Sequence, residues 1–120
     1  MDWNELKATL RAFAAERDWD QFHSPKNLSM ALSVEVAELV ERFQWLTEEQ
    51  SRLLPPDVRQ QVAEEIADIQ IYLVRLADKL SIDIDSAVKD KMELNQRKYP
   101  AEKVRGKSLK YTEYDPEPKA

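Results

Sequence analysis

Glu35 and Glu38 in the run V-E-V-A-E-L, and Glu65 and Asp68 in E-E-I-A-D-I, are the residues of this chain best suited to chemistry. The acids of each pair stand three residues apart inside an apolar pattern of helical period, so each pair falls on one helix face. At 3.6 residues per turn, Leu28, Leu32, Leu39 and Leu46 surround Glu35, with Glu38 on its flank. Val58, Val62, Ile69, Leu76 and Leu80 surround Glu65 in the same way, with Asp68 beside it. Four carboxylates are therefore expected to point toward a core. A carboxylate taken out of water without a partner is costly, so it protonates, meets a cation or ligates a metal. Four oxygen ligands from two helices suit a hard divalent cation, Mg²⁺ or Mn²⁺. Acid pairs at this spacing are ordinary on solvated helix faces, and most of the 23 acidic residues here must be solvated. Duplication is what separates these pairs from Glu48, Glu49 and Glu102, whose surroundings are polar.

The elements that must hold the acids read as four helices and a tail. A first helix is expected from about Trp3 to Arg17, with Leu6, Leu10, Phe13 and Ala14 on its apolar face. After the connector D-W-D-Q-F-H-S-P-K-N, Asn27 is the expected cap of a helix running to about Gln44. Trp45 to Pro56, with two prolines and a polar run, reads as either a loop or a short helical turn. Asp57 is the expected cap of the second acid-bearing helix, Val58 to Leu80. Ser81, Ile82 and Asp83 separate it from a fourth, Ile84 to about Lys98, stopped by Tyr99 and Pro100. The last twenty residues have little periodicity and read as an extended arm or partly disordered tail. Two antiparallel helices joined by a short connection lie about 8–10 Å apart, close enough for the two acid pairs to converge.

Composition narrows the chemistry. A chain of 120 residues with 42% hydrophobic and 34% charged residues fits one small all-α domain with a modest core, its breaks marked by prolines. With no cysteine, disulfides, thiolate zinc sites and cysteine nucleophiles are excluded. A formal net charge of -5 argues against binding nucleic acid by general attraction. No stretch approaches a membrane span, so the expected location is cytoplasmic. His23 is the single histidine and precedes the first acid helix, so the Glu-x-x-His spacing of di-iron bundles is missing and hydrolysis of the Mg²⁺ type is favoured.

The runs F-H-S-P-K-N-L, E-V-A-E-L with F-Q-W, E-E-I-A-D-I-Q-I-Y-L and K-M-E-L-N-Q-R-K-Y-P together resemble the MazG-like all-α nucleoside triphosphate pyrophosphatases, and among these the dCTP pyrophosphatase branch. The resemblance covers residues 1–112 in order and spacing, leaving 113–120 as an acidic tail. It implies a MazG-like four-helix bundle protomer with a C-terminal arm, assembled as a homo-oligomer, tetramer or dimer. It also implies Mg²⁺-dependent conversion of a nucleoside triphosphate, dCTP or a modified dCTP, to the monophosphate and pyrophosphate, as nucleotide pool sanitation.

Residue roles follow from the resemblance position by position. Glu35, Glu38, Glu65 and Asp68 match the family's metal-binding acids, and Glu38 is the preferred proton acceptor from the attacking water. Lys91 and Asn95, one helical turn apart, together with Lys98 and Tyr99, match the triphosphate-holding face. Many relatives carry arginine where this chain has Lys98, which keeps the charge and loses the bidentate fork. Trp19, His23, Asn27, Trp45 and Tyr72 match the base and sugar pocket, where aromatic rings can stack on a nucleobase. Self-association has a physical basis too, since Val36, Val40 and Phe43 lie roughly 80–140° around the helix from Glu35 and need a second cover. The alternatives are the same fold acting on dUTP, inosine-type triphosphates or phosphoribosyl-ATP, and a non-enzymatic helical module that binds metal structurally.

Overall fold

The computed structural model describes residues 1–108, and all regular structure among them is helical. The elements are α1 (Trp3–Glu16), a 3₁₀ turn (Asp20–Phe22), α2 (Pro25–Glu41), α3 (Glu48–Arg52), α4 (Pro56–Lys79), α5 (Ile84–Lys98) and α6 (Ala101–Val104). The expected all-α class and the four long helices are present, with α3 and α6 in addition. The chain divides into two compact units, Met1–Ile82 and a second beginning at Asp83. The expected tail 113–120 lies outside the described residues.

Two helix starts differ from expectation, by three residues in α2 and two in α4, for one reason. Proline with its fixed φ and missing N–H fits the first helical position, so each helix begins at the proline and is capped just before it. In α2 the cap is Ser24, whose side chain accepts from the Asn27 backbone N–H, and Asn27 is not the cap. In α4 the helix begins at Pro56 after Pro55, which places Asp57 in the first turn and not at the cap. α2 stops at Glu41, short of Gln44, because the Arg42 and Phe43 N–H groups turn back to the Leu39 and Val40 carbonyls in tighter i→i−3 bonds. The segment after Trp45 contains a true helix. Thr47 and Gln50 form a reciprocal capping box that starts α3.

In the first unit α2 lies along α4, and α1 packs on α4 as well. The innermost side chains are Ala14 of α1, Leu28 of α2, and Val62, Val74 and Ala77 of α4. Three residues expected on apolar faces, Phe13 of α1, Leu46 and Leu80, are exposed instead. Leu46 lies beyond the end of α2, and Leu80 is the C-cap of α4, so the helical wheel no longer governs either. In the second unit Asp83 caps α5 by accepting from the Asp85 N–H. The helix ends at Lys98, where the Tyr99 N–H bonds the Asn95 carbonyl at 2.8 Å and Pro100 follows. The arm is not wholly extended, since residues 101–104 form the single turn α6. No helix of the described residues is long and apolar enough to cross a membrane.

Candidate active site

The acids meet where α2 runs along α4. One carboxylate oxygen from each of Glu35, Glu38 and Glu65 lies within 4.8 Å of the others. Glu65 is 8% exposed, Glu35 and Glu38 are half-buried, and Asp68 is exposed. The expectation that all four face the core is therefore too generous, because the buried line of α4 runs through Val62 and Glu65 and Asp68 falls to its edge. Asp68 is still near enough for its charge to act on Glu35. Burial, hydrogen bonding to Glu38, and the charges of Glu38 and Asp68 push the Glu35 carboxyl up to about 7.

Two carboxylate oxygens at this junction, Glu35 Oε2 and Glu65 Oε2, are buried with no hydrogen-bond partner. The other Glu65 oxygen accepts from Arg42 Nη2 at 3.3 Å. Two buried oxygens without donors, one from Glu35 and one from Glu65, with a Glu38 carboxylate in the same cluster, are the donor set a hard divalent cation satisfies. Glu35, Glu38 and Glu65 could hold such an ion, with Asp68 at the rim. Sequence reasoning missed Arg42. It stands four residues beyond Glu38, a spacing that marks a shared face but does not reveal a partner on another helix.

A cavity of about 100 Å³ opens on the same unit, lined by Trp19, His23, Ile71, Tyr72 and Arg75 together with Leu10, Phe13 and Ala14 of α1. Three of the expected base-contacting residues, Trp19, His23 and Tyr72, are thus brought together. Tyr72 joins the cavity to the acids: burial, then the charges of Glu35, Asp68 and Glu38, raises its phenol pKa. Trp19 is held edge-on to Phe13, ring centres 5.7 Å apart, and Arg17 covers the Phe13 ring. Asn27 and Trp45 do not line this cavity. The Asn27 amide donates to the Phe22 carbonyl and so ties the 3₁₀ turn to α2, while Trp45 is 86% exposed.

Behind the cavity lies an ion network the sequence did not reveal. Arg75, 5% exposed, donates to Asp20 at 2.7 Å and to His23 Nδ1 at 3.3 Å, and Lys79 reaches the same Asp20 oxygen at 2.6 Å. Arg11 of α1 grips Asp78 of α4 through two nitrogens. These cations hold the carboxyls of Asp20 and Asp78 below the usual range. Burial and the Arg75 charge lower the His23 pKa.

The expected triphosphate-holding residues belong to the second unit. Lys91 and Asn95 are exposed one turn apart on α5, Lys98 closes that helix half-buried, and Tyr99 is its C-cap.

Comparison with known proteins supplies a chemical context for this geometry. Residues 30–114 match the model of the MazG-like family. dCTP pyrophosphatase 1 of Homo sapiens is 50% identical over 103 residues, covering 84% of this chain and 61% of that protein. dCTP pyrophosphatase 1 of Mus musculus is 48% identical with the same coverage, so the chain spans about 61% of the length of these relatives. A crystal structure of a pyrophosphatase from Archaeoglobus fulgidus DSM 4304 superposes with a TM-score of 0.74 at 45% identity, covering 81% of this chain and 91% of that one.

Proposed function

The chain belongs to the MazG-like family, and from that premise we propose that it is a nucleotide pyrophosphohydrolase acting on dCTP or a modified dCTP in nucleotide pool sanitation. The observation that carries the reading is the convergence of Glu35, Glu38 and Glu65, with two buried carboxylate oxygens left without donors. Mg²⁺ is the proposed cofactor, with Mn²⁺ as the substitute, and when bound it supplies charge neutralisation at phosphate oxygens and acidifies water. Glu35, Glu38, Glu65 and Asp68 would hold it.

The remaining steps fall to the chain's own residues. Glu38 accepts the proton that water gives up as its oxygen bonds to the α-phosphorus. The bond from that phosphorus to the bridging oxygen breaks, and pyrophosphate leaves. Lys91, Asn95, Lys98 and Tyr99 are the proposed triphosphate contacts, by charge and hydrogen bonding. Trp19 and Tyr72, with their rings on one cavity, are the proposed base platform. A homo-oligomer, tetramer or dimer, is proposed because α2 exposes Met30, Val34, Val36 and Val40.

Glu38→Gln tests the assignment. It is expected to cut dCTP turnover by about 10²-fold or more, read as phosphate release in a coupled pyrophosphatase assay, with the helical circular dichroism unchanged. Retained turnover removes Glu38 from the proton-accepting role. A wild-type protein inert with Mg²⁺ or Mn²⁺ across a triphosphate panel rejects the activity itself.

A further inference from the structure

The contact between Arg75 and His23 settles more than the position of a ring. A guanidinium has only N–H donors and keeps its proton at any ordinary pH. Arg75 Nε donates to His23 Nδ1, so that nitrogen must present a lone pair. A cationic imidazole would put two N–H groups face to face, and the Nδ1–H tautomer would do the same. The ring is therefore neutral with its proton on Nε2, which has no protein partner among the described residues, although His23 lines the cavity. Arg75 is in turn held by Asp20, which Lys79 also grips, and its Nη1 lies 3.8 Å from Asp78. Its side chain is 6% exposed, so it has no freedom to swing away. The charged groups around His23 are thus Arg75, Asp20 and Lys79, and both cations oppose a third positive charge on the imidazole.

We infer that Arg75 is a positioning residue that locks His23 in the Nε2–H tautomer, so that the cavity offers a hydrogen-bond donor and selects a base presenting an unprotonated ring nitrogen, as cytosine does at N3. Uracil and thymine carry a proton at N3, and a donor fixed opposite it meets another donor. Failure to pair a polar group that a bound base would take out of water is the kind of mismatch that separates otherwise similar ligands. This rests on the proposed reading of the cavity as a base pocket. The tautomer itself does not depend on that reading.

Because His23 is the single histidine of the chain, long-range ¹H–¹⁵N spectra of the whole protein report its ring alone. The expected spectrum at neutral pH has a pyrrole-type Nε2 and a pyridine-type Nδ1. A pyrrole-type Nδ1, or a cationic ring, overturns the lock without any variant being made. In Arg75→Met the expected spectrum is a mixture of tautomers. Calorimetric binding of dCMP and dUMP, which needs neither turnover nor added metal, then reads selectivity. The wild type is expected to prefer dCMP, and the preference is expected to fall about tenfold in Arg75→Met. An unchanged preference in a variant whose tautomer has become mixed overturns the base-selecting role. A locked tautomer and dCMP preference without triphosphate hydrolysis would reject the enzymatic reading and leave this inference standing.

Discussion

Burial and the neighbouring acids at the junction make Glu35 hold its proton more tightly than an ordinary glutamate. Its folded-state pKa, pushed up to about 7, lies above the ordinary 4.5 of the unfolded chain. The folded chain therefore binds this proton more tightly, and the stability it contributes is full below about 4.5 and lost as pH rises through about 7. The metal-free protein is expected to melt at a lower temperature near about pH 8 than near about pH 5, by thermal circular dichroism. Saturating Mg²⁺ or Mn²⁺, which needs the ionised carboxylates, is expected to abolish that difference. His23, whose lowered pKa works in the opposite direction, is common to the wild type and Glu35→Gln, so a metal-free pH dependence unchanged in Glu35→Gln would show that Glu35 ionises as it does in the unfolded chain. The spacing of Glu35, Glu38 and Glu65 was legible in the sequence, because helical period assigns a face. The partners Arg42 and Arg75 were not, since they meet Glu65, Asp20 and His23 across 23, 55 and 52 residues of chain. Period says nothing about what stands opposite a face. Asp68 was misplaced for the same reason, one flank of the contact being wet.

At the scale of elements, prolines carried most of the readable punctuation, and they also caused the errors. Pro25 and Pro56 each occupy a first helical position, which shifts the cap upstream of the polar residue that looks like one. Ser24 thus bears the start of the helix that carries Glu35 and Glu38. Ser24→Ala is expected to cost about 1 kcal/mol, read as a lower urea midpoint at unchanged slope. An unchanged midpoint would mean that Asn27, tied to the Phe22 carbonyl, secures this end by itself. α3 was readable in principle, since Thr47 and Gln50 have the spacing of a capping box. The shortness of the segment between two proline-started helices left the choice between a loop and a short helical turn open. The tight turn that ends α2 left no sequence signal, because it follows from backbone geometry after Glu41 and from no special residue.

For the molecule as a whole, the all-α class was plain from one glycine, six prolines and unbroken helical period. The size of the core was not plain. Few apolar side chains are fully buried, while Met30, Val34, Val36 and Val40 on α2 and Ile66 and Leu73 on α4 stay exposed. Sequence hydrophobicity gives the amount of apolar surface and not which part of it the same chain can cover. If copies of the chain cover this surface for one another, folding and assembly become a single equilibrium governed by mass action. Heat resistance would then depend on the amount of protein in solution. The melting temperature is expected to climb with protein concentration over about a hundredfold range, and Val36→Asp to flatten that dependence. A wild-type melting temperature indifferent to dilution would mean that these valines face only water. Were a second copy its cover, the apolar face of α2 would make dilution a denaturing condition for this protein, with no change of temperature, pH or solvent.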